Sequence, residues 1–171
     1  MKKNVLTGLF ILCALAMQAQ PKLTKDNIDE VLGTMTLEEK ATLLVGNGWG
    51  SMSTGSMTAS ATALVPGAAG TTRAIERLGI TQAVLADGPA GLRISPTRYN
   101  DPATYYCTGF PVGTVMASMW NPALVQELTT AKGNEVLEYG VDVLLAPGLN
   151  LHRNPLCGRN FEYYSEDPFL T

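Results

Sequence analysis

Helical spacing opens the readable part of the chain. In "TKDNIDEVLGTMTLEEKATLLVG", residues 24–46, the apolar Ile28, Val31 and Leu32 stand three and four apart. Thr36 then starts a second helical piece, with Glu39 three residues on as a capping box and Gly46 as its stop. The stretch 47–70, "NGWGSMSTGSMTASATALVPGAAG", loses all periodicity and reads as a long loop. A short helix is expected in "TTRAIERLG", followed by an apolar strand near residues 80–87, "ITQAVLAD". The strand breaks at "DGPAGLR", where Gly88, Pro89 and Gly91 force a tight turn.

A second loop, "ISPTRYNDPATYYCTG", leads to "FPVGTVMASMW", whose first half suggests a third, weaker strand near 110–116. Asn121 caps the next helix, with Pro122 at its first position. Leu124, Val125, Leu128, Ala131, Val136 and Leu137 form its apolar stripe down to Gly140. The strand "VDVLLAP", residues 141–147, barely alternates, a pattern of strands covered on both faces in parallel α/β folds. Strands alternate with helices, and polar groups gather after the strands. Both a (β/α) barrel and a doubly wound sheet place their sites at that edge, and periodicity does not separate them.

The densest polar loop is "HRNPLCGRNFEYYSEDP", residues 152–168, directly after the last strand. Asp87 ends the earlier strand, where a carboxylate either accepts hydrogen bonds from hydroxyls or closes an Asx-turn. Arg153 and Arg159 offer planar donor forks suited to carboxylates or paired hydroxyls. Glu162, Glu166 and Asp167 are either a carboxylate set for acid/base work or partners of those arginines. Tyr163, Tyr164 and Trp120 are candidates for stacking on a sugar ring or for core packing. His152 has no second histidine at a metal-ligand spacing, so no metal site is expected. The glycines of the long loop match neither G-x-x-x-x-G-K-[ST] nor G-x-G-x-x-G, which argues against phosphate or dinucleotide binding.

Charge and termini narrow the setting. "MKKNVLTGLFILCALAMQAQ" pairs Lys2 and Lys3 with an apolar core too short to span a bilayer, and Ala19 stands at a plausible cleavage point. Residues 1–19 are therefore expected to be a signal peptide, with export to the periplasm or the outside. A lipid anchor on Cys13 is the rival, although Phe10, Ile11 and Leu12 before it lack the small residues that such processing needs. Removing Lys2 and Lys3 and no acid moves the formal charge from −3 to −5. With no Lys/Arg cluster, a nucleic-acid partner is not expected. Cys107 and Cys157 then remain, either bridged or as two buried thiols.

"LADGPAGLR", "TGFPVGTVMASMWN", "GVDVLLAPGLNLHRNPLCGRNFEYYSEDP" and "VPGAAGTTRAIERLG" together closely resemble glycoside hydrolase family 3, the β-glucosidase and β-xylosidase type. The resemblance runs from about Thr36 to the last residue. It implies an α/β fold, the N-terminal part of a truncated (β/α)8 TIM-like barrel, with residues 20–171 as a partial barrel domain. It also implies retaining hydrolysis of oligosaccharides or aryl and alkyl β-glycosides by a longer parent, with no cofactor. By the family pattern Asp87 and Arg159 bind substrate in the −1 subsite, and His152 and Asn154 shape the loop. Glu162, Glu166 and Asp167 would hold Arg159 in place. No residue here matches the family's nucleophile, its acid/base carboxylate or its Lys-His pair, all of which lie downstream. Thr81 stands where the family commonly has proline. The rival expectation is a non-catalytic carbohydrate-binding or structural remnant.

Export makes a direct prediction: the mature protein begins at Gln20. N-terminal sequencing of the secreted protein checks it, and a chain starting at Met1 would rule it out.

Overall fold

A computed structural model describes residues 20–46, 64–99 and 101–171. The expected signal peptide and most of the expected loop at 47–70 lie outside the described residues. The chain divides into two compact units, one comprising residues up to Ala41 together with Ala74–Thr81, the other Thr42–Arg73 with Gln82–Thr171.

In the first unit, α1 spans Ile28–Thr34 and is followed at once by α2, Leu37–Val45, whose first turns belong to this unit. The capping box forms as the spacing predicts. Thr36 N donates to Glu39 Oε2 at 2.8 Å, and Glu39 N donates to Thr36 Oγ1 at 3.1 Å. Val31, Met35, Ile75 and Leu78 are the unit's buried side chains. The helix expected in "TTRAIERLG" is only a single 3-10 turn, Glu76–Leu78. Ile75 and Ile80 bridge across it, and Gly79 closes it at φ 68°, so nine residues hold a turn between short extended pieces. Arg77 ties this turn to the rest of its unit. It donates to both Glu39 carboxylate oxygens and, at 3.1 Å, to Thr34 O.

The second unit carries a three-stranded sheet in the order β1 (Gly70–Thr71), β2 (Val84–Asp87), β3 (Val143–Leu145). β1, which loop composition hides, pairs antiparallel with β2. β2 and β3 are parallel, with Leu85 opposite Val143, Ala86 opposite Leu144 and Asp87 opposite Leu145. The crossover between them holds α3 (Gly113–Ser118) and α4 (Pro122–Glu138). Thus the third strand suggested near 110–116 is a helix instead. Pro111 lacks the N–H that a ladder needs, and Val112 is the extended residue just before the first helical turn. Asn121 caps α4 as expected, accepting from Leu124 N at 3.1 Å.

Val84 and Ala86 point into a buried cluster with Val65, Leu92, Val136 and Val141. Both strands are shorter than their apolar runs. Among the described residues the outer face of β3 is open, with Val143 and Leu145 each 42% exposed, so the two-sided cover expected for it is not present there. On α4 the buried positions are Lys132 and Val136, while Leu124 and Leu137 at the ends of the expected stripe are exposed. Asp142 fixes the start of the parallel pair. Its Oδ2 accepts from Val84 N at 2.7 Å, and its own N donates to Val84 O at 3.0 Å.

The Arg77 guanidinium and the Thr36 amide hold the Glu39 carboxyl at a pKa of about 2, against an ordinary 4.5. A depressed folded-state value means that the stabilisation is complete above pH 4.5 and is lost as pH falls through about 2. Carboxyl-selective NMR should find the Glu39 midpoint near 2, and Arg77→Ala should return it toward 4.5.

Candidate active-site edge

The parallel register carries Asp87 and the chain beyond β3 to the same, carboxyl-terminal end of the sheet. Asp87 is the last residue of β2, and its side chain is half-buried. The turn behind it is held by backbone bonds from Arg93 N to Asp87 O at 2.9 Å and from Phe110 N to Ala90 O at 2.9 Å. Arg93 is its nearest cation, 4.0 Å away and largely exposed. Such a loose surface pair contributes little and leaves the carboxylate available.

After β3 and a cis Ala146–Pro147 peptide, the polar loop turns back on itself, so that Gly148 bridges Tyr163 in parallel fashion. A 3-10 turn, Asn160–Glu162, follows Arg159. Arg159 Nε donates to Glu162 Oε1, a pair in which the carboxylate side chain is 10% exposed and the guanidinium 70%. The buried partner bonds Nε, which leaves the two terminal nitrogens of the fork outside the pair. The Arg159 guanidinium is held above its ordinary pKa, first by the hydrogen bond to Glu162 and then by that carboxylate's charge. Tyr163 and, as the smallest contribution, Asp87 add to it.

Two glycines let the backbone carrying Glu162 approach the scaffold. A Cβ on Gly113, at the start of α3, would lie 2.6 Å from Glu162 O, and one on Gly148 would lie 3.1 Å from the Tyr163 ring. Thr114 Oγ1 adds a bond of 2.7 Å to Tyr163 O. Sequence reasoning missed all three residues. The only trace was a Gly-Thr pair at the head of an apolar segment.

The other expected residues fall into separate roles. Asn154 ties the loop to itself, its Oδ1 accepting from Leu156 N at 2.9 Å and its carbonyl from Asn160 Nδ2 at 2.8 Å. His152 N donates to Ser165 O at 3.0 Å, and its ring lies 6.3 Å from that of Tyr163. The His152 Nε2 is enclosed without a hydrogen-bond partner among the described residues. Asp167 accepts from Phe169 N at 2.8 Å and its carbonyl closes the turn to Leu170 and Thr171. Glu166 is exposed. Among the described residues, then, the carboxylate that pairs with Arg159 is Glu162, and Asp167 is engaged in a local turn. Arg153 is exposed, Tyr163 buried, Tyr164 half-buried and Trp120 75% exposed in left-handed backbone at φ 50°. Cys107 and Cys157 are free thiols, the first half-buried and the second exposed, so neither the bridge nor a pair of buried thiols is present. No group of three or more His, Cys, Asp or Glu residues among the described ones is arranged to hold a metal. No described helix is long and apolar enough to cross a membrane.

The clamp at Gly113 yields a contrast that thermal unfolding of the intact protein can read. Gly113→Ala should destabilise it by about 1–3 kcal/mol, because the nearest atom is backbone and cannot move alone. Gly158→Ala, where a Cβ meets open space, should stay within about 0.5 kcal/mol of wild type.

Known proteins bear on this edge directly. Residues 99–171 match the Glycosyl hydrolase family 3 N terminal domain. A thermostable beta-glucosidase B of Acetivibrio thermocellus is 38% identical over 153 residues, which cover 85% of this chain and 17% of that protein. A beta-glucosidase of Ruminococcus albus is 39% identical, covering 86% and 14%. Among solved structures, beta-glucosidase 3B of Thermotoga neapolitana in complex with alpha-D-glucose superposes with a TM-score of 0.75 and 58% identity. The superposition covers 84% of this chain and 19% of that one. The chain thus spans less than a fifth of the length of these relatives. These relatives identify the parallel strand pair and its helical crossover as the start of a (β/α) barrel, and the chain belongs to glycoside hydrolase family 3.

Proposed function

We propose that this chain supplies part of the −1 sugar subsite of an exported, retaining β-glycosidase of the β-glucosidase type. The observation that carries the reading is the parallel register, which sets Asp87 and the chain beyond β3 that bears Arg159 at the same end of the sheet. An acceptor and a donor fork carried to one sheet edge suit the vicinal hydroxyls of a pyranose, which offer both donors and acceptors. The relatives named above are beta-glucosidases, and the solved one holds glucose. Substrates would be oligosaccharides or aryl and alkyl β-glycosides.

In this reading Asp87 accepts from ring hydroxyls and Arg159 donates to one. Glu162 aims Arg159 from below, so that a long side chain binds sugar without losing its own freedom at that moment. The nucleophile and the acid/base carboxylate come from other parts of the parent, as the family resemblance implies. Hydrogen bonds to the sugar matter most where they strengthen as the ring distorts toward the oxocarbenium-like transition state.

Arg159→Ala in the intact parent tests this. A charge-assisted hydrogen bond is worth roughly 1.5–3 kcal/mol. The variant should therefore lose at least about tenfold in kcat/KM on an aryl β-glucoside. A correctly folded variant within about twofold of wild type would remove Arg159 from the subsite. An intact protein that binds glucose and hydrolyses no β-glycoside would favour the non-catalytic carbohydrate-binding alternative.

A further inference from the structure

α4 carries a cation where its apolar face should be continuous. Lys132 stands four residues from both Leu128 and Val136, and only 6% of it is exposed. Among the described residues the ion pairs are Arg77–Glu39, Arg93–Asp87 and Arg159–Glu162, so no carboxylate neutralises it there. Instead Nζ donates to Pro89 O at 3.0 Å and lies 5.4 Å from the centre of the Phe110 ring. Burial lowers the pKa of the amine, the sign of a charge held away from water. A methionine or leucine would fill the same volume without that cost.

What the amine grips explains its presence. Pro89 is the second residue after Asp87, in the turn Gly88–Gly91. That turn has one long bond of its own, Gly91 N to Gly88 O at 3.2 Å, and its two glycines sit where no side chain fits. A Cβ on Gly91, at φ 118°, would lie 2.2 Å from Thr108 O. Thr108 is itself held from α4, one turn beyond Lys132, since its N and Oγ1 donate to the Glu135 carboxylate at 3.0 and 2.7 Å. The same face of α4 thus holds the turn directly, through Lys132, and holds the strand of loop behind it, through Glu135.

We propose that Lys132 is a positioning residue for the sugar-binding Asp87, setting the Asp87 carboxylate by fixing the Pro89 carbonyl two residues on. The inference rests on the subsite reading of Asp87 given above. Lys132 touches no sugar. It acts through the turn, and a displacement of about 1 Å at such a distance from the chemistry costs up to about a hundredfold in rate.

A double-mutant cycle in the intact parent separates this role from a merely structural one. The kcat and KM for an aryl β-glucoside and inhibition by glucose are measured for Lys132→Met, Lys132→Arg, Asp87→Asn and the Lys132→Met/Asp87→Asn pair. Lys132→Met should lower kcat/KM at least about tenfold and weaken glucose inhibition with it. Lys132→Arg, which keeps a donor, should restore most of both. In the Asp87→Asn background Lys132→Met should cost less than about twofold more, since the group that it positions is already gone. If Lys132→Met does not accumulate folded, Lys132→Gln replaces it in the cycle, being one bond too short to reach Pro89 O. Losses that multiply, or a Lys132→Met enzyme with wild-type kinetics beside a crippled Asp87→Asn, overturn the inference and leave the subsite reading standing. A fully active Asp87→Asn enzyme overturns both.

Discussion

The parallel pairing of β2 with β3 is the constraint on which the site edge depends, because register converts sequence distance into proximity. Asp87 and the loop beyond Leu145 are almost sixty residues apart along the chain. They share one end of the sheet because Asp87 stands opposite Leu145. A slip of one residue would turn Val84 and Ala86 out of the buried cluster and Leu85 and Asp87 into it. Burying an unpaired aspartate costs far more than burying two small apolar side chains recovers. The register that fills the core is therefore the one that leaves the carboxylate at the rim. Asp142 reinforces it from the opposite end by taking both the N–H and the carbonyl of Val84.

Position alone does not make a binding group of an arginine, which has four side-chain torsions to lose. Glu162 removes much of that freedom in advance. Its side chain is 10% exposed, anchored in the 3-10 turn and backed by α3, where Gly113 admits its carbonyl and Thr114 bonds the next one. The guanidinium that it holds is 70% exposed. This asymmetry matters. A pair exposed on both sides would be screened and worth little, and a pair buried on both sides would have no donor to offer a ligand. One buried and one open partner gives a fixed cation that still faces solvent.

Much of this was legible in the sequence where a local rule decides the outcome. Thr36 with Glu39, and Asn121 with Pro122, foretell their helix starts because capping needs only a few adjacent residues. The place of Asp87 at the end of its strand was readable from the apolar run before it and the glycines after it, since "LADGPAGLR" breaks at once. What failed was whatever depends on distant packing. Residues 110–116 look strand-like for their Phe110, Val112 and Val115. The chain takes a helix there because Gly113 must seat against Glu162, forty-nine positions later. Glu166 and Asp167 look equivalent to Glu162 in sequence. Yet the 3-10 turn directs only Glu162 back to Arg159, while Asp167 serves the next turn.

Lys132 shows the same limit from the other side. In a helical stripe of leucine, alanine and valine a lysine reads as an interruption that snorkels to water, because a long stem can usually carry the charge out. Here it is 6% exposed, and its Nζ ends on the Pro89 carbonyl. The turn closes with one weak bond of its own, Gly91 N to Gly88 O at 3.2 Å, while Pro89 contributes no N–H and Gly88 and Gly91 no side chains. Lys132 adds a hold from outside, and a charged donor in a dry setting holds a carbonyl more strongly than a neutral one does. Glu162 bonded to Arg159, and Lys132 bonded to the turn after Asp87, thus answer one requirement with opposite charges. Each uses a buried ionic group to order the chain that bears a polar residue at the rim, so that the ordering cost is met in folding rather than when a ligand arrives.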